Sequence, residues 1–203
     1  MTPSNDSPLY STDYVDYREH FFLPEMADDY FDILSRTIEW RHEAITLFGK
    51  KIMQPRLTAL YGDPHLSYRY SGLTMTPTMW TKELTDIKEK IEAVVGQSFT
   101  TVLLNYYRDG HDSMGWHADN EAVLGKNPTI VSLSFGAERR FILRLNENPK
   151  IQRTIVLQHG SFLWMKYSLQ HISKHCIPKQ ISVKKPRINL TFRTLQLKKS
   201  MTM

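Results

Sequence analysis

Two side chains able to ligate a metal stand two residues apart in His117-Ala118-Asp119. In an extended segment that spacing turns both to the same side of the chain. Far downstream, His171 follows a strand-like run and could close a triad. Two imidazoles and one carboxylate on one face of an ion leave the opposite positions open, the arrangement suited to non-haem Fe(II) chemistry. The short pattern also fits polar groups in a loop, and its mixed ligands would suit a structural zinc ion. His111, His159 and His175 read equally well as hydrogen-bonded or solvated histidines.

A second pattern lies in Arg187-Ile188-Asn189-Leu190-Thr191-Phe192-Arg193. Strict alternation puts Arg187, Asn189, Thr191 and Arg193 on one face of a strand. A half-exposed strand would show the same alternation. Beside a metal, however, planar arginine forks are what a cosubstrate with two carboxylates would need.

These residues must be positioned by a fold. Met26, Tyr30, Ile33, Leu34 and Ile38 recur at helical spacing after Pro24, which suits a first helical turn. Trp80, Leu84, Ile87, Ile91 and Val94 predict a second helix over 77–95, ended by Gly96. Seven short runs rich in β-branched and aromatic residues then follow, at 99–107, 129–135, 140–145, 153–158, 161–165, 171–176 and 187–193, separated by turn signals. Strands without intervening helices imply an antiparallel barrel or sandwich, here a jelly roll (double-stranded β-helix) with two N-terminal helices packed outside. The expected division is a polar N-terminal tail over 1–20, an N-terminal part carrying the two helices over 21–98, and the jelly-roll core over 99–197, in a single domain.

Length and composition agree. The 203 residues suit one domain, and 41% hydrophobic with 23% charged residues is an ordinary globular balance. A single cysteine, Cys176, allows no internal disulfide and fits a reducing compartment. No apolar run is long enough for a membrane span and the polar start lacks the layout of a secretory signal. The expectation is an intracellular protein, cytoplasmic if bacterial and nuclear if eukaryotic. The formal charge of +5 favours polyanionic partners.

Taken in order, Asn105 to Gly110, Trp116 to Glu121, Ser132 to Ala137 and Pro186 to Arg193 resemble motifs of the AlkB-type Fe(II)- and 2-oxoglutarate-dependent dioxygenases, which repair alkylated nucleic acids. The likeness runs from about Trp40 to Arg193. The stretches 55–63 and 68–73 look most like the subgroup acting on double-stranded DNA. The resemblance implies Fe(II), 2-oxoglutarate and O2 as cofactor and cosubstrates. It gives His117, Asp119 and His171 as iron ligands. Arg187 would take the distal carboxylate of 2-oxoglutarate, with Asn105, Tyr107, Asn189 and Thr191 around it. Arg193 would stand beside the carboxylate next to the keto group. The implied reaction hydroxylates an N-methyl group on 1-methyladenine or 3-methylcytosine, releasing formaldehyde and succinate.

On the substrate side, a base buried in duplex DNA must be extruded to be reached. By resemblance Tyr70 stacks on the flipped base, Tyr68 hydrogen-bonds in the pocket, and Glu121 accepts from an exocyclic amino group. Phe48, in Thr46-Leu47-Phe48-Gly49, matches an apolar finger that fills the gap left in the stack. Arg56 matches a nucleic-acid contact, and Lys50, Lys51, Arg108 and Lys126 are candidates for phosphate. Tyr68 and Phe48 also suit ordinary packing. The expected partner is alkylated DNA, duplex over single strand, with RNA as the alternative. The expected state is a monomer away from membranes, and a catalytically silent nucleic-acid-binding module is the rival reading.

Overall fold

The computed structural model describes residues 7–47, 50–64, 66, 68–70 and 73–196. In chain order these form β1 (Val15–Arg18), α1 (Pro24–Thr37), β2 (Ala44–Leu47), β3 (Lys50–Met53), β4 (Leu57–Gly62), β5 (Tyr68–Tyr70), β6 (Leu73–Met75), β7 (Thr78–Met79), α2 (Lys82–Val95), β8 (Thr101–Tyr107), β9 (Met114–His117), β10 (Ile130–Gly136), β11 (Arg139–Leu145), β12 (Gln152–Leu157), β13 (Ser161–Met165), α3 (Leu169–Ile172), β14 (Ser173–Ile177) and β15 (Arg187–Arg193). A major sheet has the order β1-β13-β10-β15-β8-β4-β7 and a minor sheet the order β12-β11-β14-β9. This is the expected jelly roll. Two hairpins, β2-β3 and β5-β6, pair only within themselves.

Alternation in the central strands builds two apolar layers. On β8 and β15, Val102, Leu104, Ile188, Leu190 and Phe192 face a layer that also holds Ala27 and Leu34 of α1 and Leu84, Ile87 and Ile91 of α2. The opposite face of the same strands turns Leu103 and Tyr107 toward Phe141, Leu143, Leu157 and Ile177 of the minor sheet. The polar residues of β15 therefore point between the sheets rather than into water. All seven residues of β15 are buried.

The helices follow local chemistry. Pro24 opens α1 as expected. The second helix starts later than its periodicity predicts, at Lys82: Thr81 caps it by accepting a hydrogen bond from the Leu84 N–H, and Thr78 and Met79 are already paired with β4. Gly96 ends it at φ 73°, a left-handed conformation that glycine adopts without strain.

The expected tail and partition need correction. Within 1–20, Leu9 is fully buried and β1 pairs along β13, from Val15 with Met165 to Arg18 with Phe162. Tyr17 donates through its hydroxyl to the Val156 carbonyl at 2.6 Å. Aromatic and aliphatic residues interleaved among the polar ones hold this segment on the core. The expected boundary at 98–99 is crossed as well, because β4 pairs with β8 over six residues. Among the described residues no helix is long and apolar enough to cross a membrane.

Candidate metal centre and cosubstrate pocket

β9 and β14 pair antiparallel with His117 directly opposite His175. Just beyond the end of β9 comes Asp119, and one ligand atom from each of His117, Asp119 and His175 lies within 4.8 Å of the others. This corrects the expectation for His171. The run 171–176 is not one strand: residues 169–172 make a helical turn, closed by the Ser173 hydroxyl donating to the Leu169 carbonyl at 2.8 Å. His171 is exposed there and its ring meets the Lys126 carbonyl. The strand begins at Ser173, so Ser173, His175 and Ile177 turn inward while Lys174 is exposed. Period-2 spacing alone does not separate the two histidines, because in a continuous strand counted back from Pro178 both His175 and His171 share the face of Ile177.

The triad has the protonation states a cation needs. Burial pushes the His117 imidazole below its ordinary pKa, and burial together with neighbouring His117 pushes His175 down to about 3, so both rings are neutral near pH 7. In Asp119 burial works to raise the pKa, but the Arg193 guanidinium acts against it, and the carboxyl is held below its ordinary range and ionised. Arg193 Nη2 reaches Asp119 Oδ1 at 2.5 Å. His117 Nδ1 lies 2.9 Å from the Gly115 carbonyl. That acceptor calls for the Nδ1–H tautomer and leaves Nε2 to a metal. In His175 the Nε2 faces Asp119 Oδ2 at 3.9 Å, and the ring stacks on Phe141 with centroids 5.0 Å apart. Two neutral imidazoles and one carboxylate, converging with open space beside them, fit Fe(II).

That space is a pocket lined on one wall by Asn105, Tyr107, Arg187, Asn189, Thr191 and Arg193. The cosubstrate residues expected from sequence are thus gathered by β8 and β15, whose register sets Arg187 opposite Tyr107 and Asn189 opposite Asn105. Arg187 is 1% exposed. Its Nη2 donates to Ser134 Oγ at 2.8 Å, while Nε and Nη1 make no hydrogen bond within the described chain. Burial pushes its pKa down to about 10, which leaves it a cation at neutral pH. A buried guanidinium with N–H groups to spare suits a carboxylate. Asn189 is more fully engaged: Nδ2 donates to Ser132 Oγ and the Leu133 carbonyl, and Oδ1 accepts from Asn105 Nδ2 and Thr191 Oγ1. Asn189 and Thr191 therefore brace the wall.

Sequence reading missed the other wall. Met114, Phe141, Leu157 and Ile177 of the minor sheet make it apolar, so polar contacts inside are concentrated on β8 and β15. It also missed Arg139, which is 1% exposed and donates to the carbonyls of Asp109, Asp112 and Pro178. Arg139 and Arg187 both lie against the Tyr107 ring, 5.4 and 5.2 Å from its centroid.

On the substrate side, Arg56 is 3% exposed and its Nε donates to Asn105 Oδ1 at 2.7 Å. The expected nucleic-acid contact is corrected to a buried brace of the pocket wall, because a group so enclosed cannot reach a phosphate backbone. Arg108 is engaged with Asp112 by two side-chain hydrogen bonds. Glu121 is half-buried at the start of a 3-10 turn over Ala122–Leu124, two residues beyond Asp119. Tyr68 and Tyr70 form β5, paired with Met75 and Leu73; their side chains lie outside the described residues. Phe48 also lies outside the described residues, directly after β2.

A family model for the 2OG-Fe(II) oxygenase superfamily matches residues 15–193. The alpha-ketoglutarate-dependent dioxygenase alkB homolog 3 of Bos taurus is 41% identical over 178 residues, covering 83% of this chain and 62% of that protein. The DNA oxidative demethylase ALKBH2 of Homo sapiens is 38% identical over 183 residues, covering 85% and 70%. The chain thus spans less than two thirds of the bovine relative. Among solved structures, OsALKBH1 superposes with a TM-score of 0.64 at 15% identity, covering 91% of this chain and 98% of that one. A 2OG-Fe(II) oxygenase from Burkholderia pseudomallei gives 0.59 at 11% identity, covering 88% and 84%. These two likenesses concern the fold.

Proposed function

The chain belongs to the 2OG-Fe(II) oxygenase superfamily, in its AlkB-type branch, and from that premise we propose that it removes alkyl groups oxidatively from nucleobases in DNA. The observation that carries this reading is one strand face, β15, whose Arg193 end meets the carboxylate of the His/Asp/His triad and whose Arg187 end offers a buried, incompletely bonded guanidinium. A metal chelator with a second carboxylate fits that layout.

His117, Asp119 and His175 would hold Fe(II), and Arg187 would hold the distal carboxylate of 2-oxoglutarate. When bound, the metal and cosubstrate supply the redox chemistry with O2 that side chains lack, coupling loss of carbon dioxide to insertion of oxygen into a C–H bond. The residues of the chain orient and insulate. Asn105, Asn189 and Thr191 keep the wall rigid, and Arg193 keeps Asp119 ionised. The apolar wall of Phe141, Leu157 and Ile177 keeps water out.

The substrate reading is 1-methyladenine and 3-methylcytosine, in duplex over single-stranded DNA, by a monomer. It is supported by Glu121, an acceptor-only side chain two residues from a metal ligand, and by the two self-paired hairpins that come before and after β4 in the chain. Hydroxylation at the N-methyl carbon gives a hydroxymethyl group that leaves as formaldehyde.

The test is formaldehyde and succinate release with Fe(II), ascorbate and 2-oxoglutarate on 3-methylcytosine in duplex DNA, single-stranded DNA and RNA, with His117→Ala as control. Turnover greatest on duplex and abolished in the variant is expected. Equal or better turnover on RNA overturns the substrate, and binding of methylated DNA without consumption of 2-oxoglutarate overturns the enzyme reading.

A further inference from the structure

Asp119 is the one member of the triad that no strand carries. His117 ends β9 and His175 lies within β14, so the ladder fixes both; Asp119 comes two residues past the last rung. Its carboxylate is aimed by Arg193, but a carboxylate can be aimed only if its backbone is held.

The backbone is held from another part of the fold. The Asp119 N–H donates to Gln170 Oε1 at 2.9 Å. Gln170 is 2% exposed and sits in α3, the single turn that joins β13 to β14. The donor fixes the amide orientation: since the Asp119 N–H needs an acceptor, Oε1 faces it and Nε2 turns to the Met165 sulfur, 3.5 Å away. The turn that carries Gln170 is itself tied down. Asn146 Nδ2 donates to the His171 carbonyl at 2.7 Å, and the Ser173 hydroxyl closes onto Leu169. Tyr167, entering the turn, is held at φ 48°, a left-handed conformation that costs a residue with a Cβ.

We propose that Gln170 is a positioning residue for the metal centre: its amide oxygen holds the backbone of Asp119 so that the carboxylate meets the ion together with His117 and His175. The proposal rests on the Fe(II) reading above. One connection, β13 to β14, then governs two of three ligands, presenting His175 in its strand and placing Asp119 through Gln170. Partners that orient metal ligands in this way typically contribute about 10–100-fold to metal affinity.

The experiment titrates the protein with Mn(II) alone and measures 2-oxoglutarate binding separately, in the parent, Gln170→Met and Gln170→Glu. Methionine keeps the length and apolar packing but lacks the oxygen; glutamate keeps an oxygen that can accept from Asp119. Gln170→Met is expected to weaken Mn(II) by about tenfold or more with a melting temperature close to the parent's, and Gln170→Glu to bind within about threefold of the parent. Mn(II) affinity unchanged in Gln170→Met, or equally lost in both variants, overturns the proposal. Should Gln170→Met fail to melt cooperatively, hydrogen exchange at the Asp119 amide of the parent decides: protection well above that of the flanking loop amides is expected, and exchange at their rate overturns it. Failure of the Fe(II) reading is separate, because then the parent itself would not bind Mn(II) in a manner that His117→Ala removes.

Discussion

The cosubstrate wall and the two N-terminal hairpins are built on opposite principles. The wall consists of adjacent strands in the interior of a seven-stranded sheet, with β15 paired along its length to β10 and β8, buried on both faces and carrying arginines whose positions the ladder dictates. The hairpins β2-β3 and β5-β6 pair only with themselves. Two-stranded units have few contacts to resist movement. On the proposed function, the difference separates the fixed geometry that the oxidative chemistry needs from the hairpins to which contact with the base is assigned.

The sharpest way to break this comparison is at the ladder-bound metal site. His175→Ala should reduce turnover more than about 1000-fold and abolish Mn(II) binding, whereas His171→Ala should keep turnover within about fivefold. The reverse pattern in a formaldehyde assay would return His171 to the site. Next in size is Arg187→Gln, which removes the buried charge proposed to hold the distal carboxylate of 2-oxoglutarate. It should raise the KM for 2-oxoglutarate about 100-fold, with a much smaller change in kcat at saturating cosubstrate, as steady-state kinetics would report.

On the hairpins effects should be smaller and should depend on the substrate. Tyr70→Ala removes the ring that the resemblance assigns to stacking on the base, a contact worth roughly 1–3 kcal/mol, and should lower kcat/KM about tenfold on methylated DNA, leaving uncoupled 2-oxoglutarate turnover unchanged. Phe48→Ala should lower turnover on duplex about three- to fivefold and leave single-stranded turnover and the melting temperature alone. Equal loss on both strand forms would show that the hairpin does not act on the duplex.

The same contrast explains what could be read from sequence. The face of β15 was legible because polar and apolar residues alternate without interruption from Arg187 to Arg193, and the two helices because their apolar spacing is regular. His175 was not. It and His171 are four apart, so both would face one side of a continuous strand, and nothing in Leu169-Gln170-His171-Ile172 announces the helical turn that separates them. Gln170 and Arg139 were invisible for a different reason: each acts on main-chain atoms of segments distant in sequence, and such partners leave no local pattern. Arg56 resembled a surface cation because sequence carries no measure of burial.

The pairing of β1 with β13 has a practical meaning for anyone handling this chain. Without residues 15–18, the outer edge of β13 would present unpaired N–H and C=O groups along a strand containing Phe162, Leu163 and Met165. Edges of that composition recruit strands from other molecules. A protease cut or a shortened clone that loses β1 would therefore betray itself by self-association on a sizing column before any defect in catalysis was noticed.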